Sequence, residues 1–265
     1  MAFRPSIQRA PGSVGEVDRD TFLPVVKALH AAWLPDRPGA LVRTDDWWTV
    51  RLHDPEPWRH GATAYRFVLH YDVAGAPDGY LYFRVKESPD HSGAEVTVLA
   101  LDAASPAAYA ALWRFALDLD LVRHFTCTDA PLDEPLRHLV ADERAIETRL
   151  RDGTYARLVH VGEALEARRY AAEVDLQIGV EDALLPENSH TFRLVGGPGG
   201  ASVSRSRRRP DLSLNVSELG AMYLGGTSPD TLQRAGLITE HTPGAVSALT
   251  AAFAWSRMPF CNDYF

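Results

Sequence analysis

Three apolar-rich runs set the strongest constraint on this chain: Tyr65 to Tyr71, Tyr80 to Val85 and Glu95 to Leu101 follow one another with only short polar stretches between them. Runs of this kind read as strands. The first two are separated by Ala76-Pro77-Asp78-Gly79, where proline presets φ and glycine accepts a positive φ, so a hairpin meander is expected. Ser105 and Pro106 then start a helix with Tyr109, Leu112, Trp113, Ala116 and Leu119 on one face, and Arg114 and Asp118 are spaced for an i, i+4 pair. A strand at His124 to Cys127 and a short helix near Glu134 to Val140 follow. Ahead of the meander, Asp20 can cap a helix carrying Phe22, Val25, Val26, Leu29 and Trp33 that ends before Pro35, and a second short helix begins near Thr44. Helices and strands in this order make a layered α/β unit.

Residues 1–18, with Pro5, Pro11, Gly12 and Gly15, read as an extended lead-in or linker, and the first domain as 19–150. The pattern restarts after Arg149-Leu150-Arg151-Asp152-Gly153. A second, α+β domain is expected over 151–265: a strand at Tyr155 to Val161, a short helix at Glu163 to Tyr170, and an alternating strand at Val174 to Val180 with one face wet. Strands around Phe192 and Leu194, Val203, and Leu212 and Leu214 follow, with a turn at the GGPGG of 196–200. Helices at Ser217 to Leu224 and from Ser228-Pro229 to Gly236 come next. The last stretch, TPGAVSALTAAFAWSRMPFCNDYF, reads as a helix capped by Thr242, with Pro243 at its first position and Val246, Leu249 and Phe253 on one face. Phe260, Tyr264 and Phe265 make its tail too apolar to fray, so the tail is expected to dock. A docked end fixes the α-carboxylate of Phe265, and a fixed, partly desolvated carboxylate can act as a base or simply cap a greasy seam.

At 265 residues and a formal charge of -8 the chain can bury ample core, and its acidity gives no support to nucleic-acid binding. Two cysteines, Cys127 and Cys261, do not make a disulfide framework and fit a reducing cytoplasm. No signal-like run opens the chain and no stretch approaches membrane-spanning length, so membrane insertion is not expected.

The first unit looks like half of an acyl-coenzyme-A-binding fold, in which backbone N–H groups of a glycine-rich turn close on a pyrophosphate at a helix N-terminus. Here the turn is Leu101-Asp102-Ala103-Ala104-Ser105-Pro106: it has no glycine, adds an anion and loses a donor at Pro106. This unit is therefore expected to leave the cofactor unbound. The ten histidines show no metal-ligand spacing, no GxSxG elbow is present, and neither cysteine has an evident base. Arg205, Arg207, Arg208 and Arg209 form a basic cluster that reads as a solvated turn or an anion contact. Trp47-Trp48 reads as one core ring beside one lid or contact ring.

DGYLYFRV (78–85), ALWRFALDLDLV (111–122), RLVHVGEALEARRYAAEVDLQI (157–178), LGAMYLGG (219–226) and the aromatic C-terminus together resemble the enhanced intracellular survival protein family, GNAT-superfamily N-acetyltransferases. The resemblance implies that 19–150 is a degenerate GNAT-like domain and 151–265 a sterol-carrier-protein-like domain. It further implies that an N-terminal catalytic GNAT domain, which would bind acetyl-CoA and carry the general acid, is absent here, and that the chain is a fragment or a start inside a longer frame. By the same resemblance the terminal carboxylate, here Phe265, is the general base toward an amine of aminoglycoside, polyamine or lysine type, with Tyr264 and Asp263 beside the substrate. The partners implied are the N-terminal GNAT domain, in cis or in trans, and further copies in a homo-oligomer. On this reading the chain alone is inactive. The other reading is a stand-alone binding or scaffolding protein whose sterol-carrier-like domain holds an apolar ligand.

Overall fold

The computed structural model describes residues 2–9, 11–90 and 92–264. Its chain divides into two compact units, Met1–Asp152 with Asn262–Phe265, and Gly153–Cys261. The first is a five-stranded sheet in the spatial order β1 (Ser13–Val17), β2 (Arg66–Tyr71), β3 (Pro77–Glu87), β4 (Ala94–Ala103), β5 (Val122–Cys127). All neighbours are antiparallel except β4 and β5, which run parallel and therefore need the crossover helix α3 (Pro106–Leu117). Helices α1 (Arg19–Trp33) and α2 (Asp45–Arg51) precede β2, and the single turn α4 (Leu136–Leu139) follows β5.

Alternation along the strands divides the core in two. Phe67, Leu69, Tyr80 and Tyr82 meet Phe22 and Val26 of α1 and Trp48 of α2. Val68, Leu81, Phe83, Val96 and Val98 meet Leu112, Trp113 and Ala116 of α3. A bulge in β4 lets Ala100 join the first group: Phe83 pairs with Val98 but Tyr82 with Ala100, so the extra Leu99 reverses which face the strand presents.

The second unit carries a sheet in the order β10 (Ile238–Glu240), β9 (Leu212–Asn215), β6 (Val174–Glu181), β7 (Thr191–Gly197), β8 (Gly200–Ser206), with β6 and β9 parallel. Helices α5 (Val161–Ala167), α6 (Val216–Tyr223), α7 (Pro229–Arg234) and α8 (Ala245–Phe253) supply the rest. One core joins Ile178, Leu194 and Leu212 to Leu165, Leu219, Met222, Leu249 and Phe253. The other sheet face carries the exposed cross-strand pair Arg193 to Asp175.

Several local expectations are corrected. Residues 13–17 are no linker but an edge strand on β2. Asp18, not Asp20, caps α1, accepting the Thr21 N–H at 2.7 Å. The hairpin turns at Asp72 to Ala76, where Asp72 accepts the N–H groups of Ala74 and Ala76 and Gly75 takes a φ of 81°, so Pro77 already belongs to β3. Arg114 turns from Asp118 to the Ile7 carbonyl and lies over the Phe3 ring. No strand forms at Tyr155 to Val161: Tyr155 and Val159 are exposed, and only Leu158 and Val161 reach the core. Thr242 donates its hydroxyl to Asp211 instead of capping, and α8 begins at Ala245 behind Gly244 at a φ of 90°. Asn262 and the residues after it group with the first unit rather than the second.

Candidate functional site

Thr44 caps α2 by accepting the Trp47 backbone N–H at 3.3 Å, which sets Trp47 and Arg51, one turn apart, on the same face; Arg43 directly precedes the cap. These three side chains converge on Asp263. Arg43 Nε donates to its two carboxylate oxygens at 2.9 and 3.0 Å, Trp47 Nε1 to Oδ1 at 2.9 Å, and Arg51 Nη1 to Oδ1 at 3.2 Å. Asn262 is held as well: its side-chain oxygen accepts from Arg43 Nη2 and its carbonyl from Arg51 Nη1, both at 2.7 Å.

The side chains of Arg43 and Asp263 are only 3% and 2% exposed. Burying an ion pair costs several kcal/mol per ion and is offset only by good geometry and further hydrogen bonds. Both are present here, because the Arg43 guanidinium also lies 4.8 Å over the Trp48 ring. Burial holds the His30 imidazole below its ordinary range, with the Leu41 carbonyl opposing this and Arg43 adding to it. A neutral ring fits the network: Nδ1 accepts from Arg43 Nη1 at 3.4 Å and Nε2 donates to the Leu41 carbonyl at 2.9 Å, the tautomer being assigned from these bonds. Burial likewise pushes the phenols of Tyr80 and Tyr82 upward, so both are neutral beside Arg51.

Of the residues expected to form the site, Asp263 is therefore buried in this clamp, and Tyr264 is 73% exposed while its hydroxyl donates to Asp129 Oδ1 at 2.5 Å. Phe265 lies outside the described residues. Arg43, Arg51 and Asp129 were not anticipated. The available signal was the spacing of Arg43, Trp47 and Arg51 at intervals of four, together with the tryptophan pair, of which Trp48 is the core ring and Trp47 the ring on the tail.

A second place of interest lies where β4 gives way to α3. The parallel pairing of β4 and β5 ends at Val98 with Cys127, and β4 continues to Ala103 without β5 beside it. In the turn that follows, Ala103 N–H donates to Asp102 Oδ1 at 2.9 Å, Ala104 N–H to the Asp78 carbonyl at 2.8 Å and Ala108 N–H to Ser105 Oγ at 3.1 Å. Pro106 has no N–H to offer. Burial, and after it the charge of Asp102, pushes the Glu134 carboxyl up to about 7 against the pull of the Leu136 N–H and Arg37. Three N–H groups around this turn are thus bonded within the chain, and Asp102 places a carboxylate beside them.

Elsewhere the chemistry is sparse. Burial pushes the Cys127 thiol up to about 11, which disfavours the reactive thiolate. Among the described residues no group of three or more His, Cys, Asp or Glu side chains is placed to hold a metal ion, and no helix is long and apolar enough to cross a membrane. In the second unit a cleft of ≈ 280 Å³ is lined by His160, Glu163, Glu166, Glu187, Phe192 and Arg205 among others. Such a lining suits a polar guest better than an acyl chain.

Comparison with known proteins places both units. Residues 39–158 match the acetyltransferase (GNAT) domain family and residues 161–262 the sterol carrier protein domain family. The first match puts a GNAT acetyltransferase domain in the first unit, where a degenerate GNAT-like domain was expected and the catalytic GNAT domain was expected to be absent; to that extent the expected absence is corrected. The chain is 44% identical over 240 residues to an uncharacterised N-acetyltransferase of Streptomyces avermitilis, covering 90% of this chain and 58% of that protein. It is 31% identical over 229 residues to the N-acetyltransferase Eis of Mycobacterium tuberculosis, covering 86% and 54%. It thus spans little more than half the length of these relatives. The crystal structure of Eis1 from Mycobacterium abscessus superposes with a TM-score of 0.78 at 32% identity, over 99% of this chain and 67% of that one. With a GNAT domain followed by a sterol carrier protein domain, and with this likeness in sequence and structure, the chain belongs to the Eis-like family of GNAT acetyltransferases.

Proposed function

We propose that the chain serves acetyl transfer to a primary amine by supplying the general base, the α-carboxylate of Phe265. The observation that carries this is the clamp on Asp263: two residues before the chain ends, the tail is held by three N–H donors in a buried ion-pair cluster. An ammonium has no lone pair for attack. A carboxylate at a fixed place takes one of its protons, directly or through water, and leaves the amine nucleophilic. Asp263, with its carboxylate committed to Arg43, Trp47 and Arg51, serves in this reading to hold the tail, and Tyr264 remains on the substrate side.

In this reading the turn after β4 is not the acetyl-CoA site: the Ala103, Ala104 and Ala108 N–H groups are bonded within the chain, Pro106 has none, and Asp102 adds an anion. The acyl donor is therefore assigned to a further GNAT domain, joined to this chain or separately encoded, and the amine class remains that of aminoglycosides, polyamines or lysine side chains. Two measurements test the reading. In the enzyme that includes the acyl-donor domain, removal of Phe265 should lower kcat by about 10²–10⁴-fold, the usual worth of a general base; an undiminished kcat refutes the assignment. Calorimetric titration of this chain with acetyl-CoA should show no binding heat, and saturable binding would return the donor site to the turn after β4.

A further inference from the structure

We infer that Arg43, Trp47 and Arg51 are positioning residues for the terminal carboxylate, forming a lock whose bolt is Asp263; this rests on the reading of Phe265 given above. A base helps only while it stays within hydrogen-bond reach of the proton it takes. Two residues of extended chain span at most ~7 Å, so fixing residue 263 confines the chain end to a small volume, whereas a free tail of eight residues would sweep a far larger one.

The lock is built for direction as well as grip. Arg43 uses all three nitrogens of its fork: Nε on both Asp263 oxygens, Nη2 on Asn262 and Nη1 on His30, with its plane set by Trp48. Arg51, which also hydrogen-bonds Tyr82, meets Asn262 and Asp263 through a single atom, Nη1, which touches the Asn262 carbonyl and Asp263 Oδ1. The tail is thus gripped at one backbone and two side-chain positions. A greasy seal would require none of these bonds.

This division of labour makes the arginines unequal. An ammonium can replace a single nitrogen but not a planar fork. R51K should therefore retain function, while R43K should fail nearly as badly as R43M. Because a loosened tail misplaces the base without altering the amine pocket, R43M should lower kcat by about 10²-fold with KM changed by less than about twofold. W47F keeps an aromatic side chain and deletes the Nε1 donor to Asp263, which makes it the mild variant should an arginine substitution fail to fold; it should lower kcat by about tenfold.

The decisive experiment needs no acetyl transfer. The 265-residue chain is trimmed with a carboxypeptidase and the products are followed by mass spectrometry. In the native chain trimming should stall at Asp263. In R43M and in W47F it should pass Asp263 at least about tenfold faster, because cleavage requires the tail to leave its bonds. Equal trimming in native and variant chains, with circular dichroism showing all of them folded, overturns the lock. The two ideas fail separately: an active enzyme lacking Phe265 removes the base but leaves the trimming result intact, whereas an inactive one beside a fully active R43M removes the lock and keeps the base.

Discussion

Replacing Glu134 with glutamine tests the claim that the turn after β4 has become an acidic, desolvated place. In the folded chain burial and Asp102 raise this carboxyl from its ordinary 4.5 to about 7. A raised acid means that the folded state binds a proton the unfolded state has released, so between pH 4.5 and 7 stability falls as pH rises. The gap of about 2.5 pH units, at 1.36 kcal/mol each, sets a ceiling of about 3 kcal/mol at pH 8, and nothing below pH 4. Glutamine removes the charge while its oxygen still accepts the Leu136 N–H, now made by Glu134 Oε1 at 3.1 Å. E134Q should therefore be more stable than the native chain at pH 8 by roughly 1–3 kcal/mol, and equal to it at pH 4. Thermal melts followed by circular dichroism across this range, on native and variant protein, measure the difference directly. A variant whose advantage does not change with pH refutes the reasoning, because a packing effect would be the same at both ends. D102N should move the Glu134 titration down toward the ordinary range, which proton NMR of the carboxyl-adjacent methylene can follow.

The remaining predictions concern single backbone and core positions in the two units. Gly12 sits at a φ of 106° with the Tyr71 carbonyl 2.3 Å from where a Cβ would lie, so G12A should cost about 2 kcal/mol or more in urea unfolding. Gly15, inside β1 with nothing within 4 Å of that point, should accept alanine within about 0.5 kcal/mol. Ile178, fully buried at the centre of the second unit, should lose about 2–5 kcal/mol of that unit's stability as alanine. Ser105→Ala should cost about 1 kcal/mol, since its hydroxyl accepts the Ala108 N–H at the start of α3.

The elements that were legible are those whose information is local. The continuous apolar runs of β2 and β3 and the i, i+4 faces of α1 and α3 appear as expected because a strand or helix carries its pattern along its own chain. The helices expected to begin near Thr44 and at Ser105 and Pro106 do begin there, with Thr44 and Ser105 as their caps, for the same reason. Where several local partners compete, the reading slipped by a few residues: Asp18 took the cap from Asp20, and Asp72 with Gly75 took the turn from Pro77 and Gly79. β1 and β10 escaped notice because short edge strands acquire their identity from the neighbour that pairs them, Tyr71 to Phe67 for one and Leu214 to Leu212 for the other. Tyr155 to Val161 made the opposite error possible, a strand-like composition with no ladder to join.

Thus the amino-acid sequence alone determined a GNAT-like unit followed by a sterol-carrier-like one and most of the helices and strands in each. Only the tertiary structure decided what the tail docks on. Arg43 and Asp263 stand 220 positions apart, and nothing in either neighbourhood specifies the other. Their charges become informative only when folding removes both from water, because an exposed carboxylate needs no partner and a buried one cannot do without it.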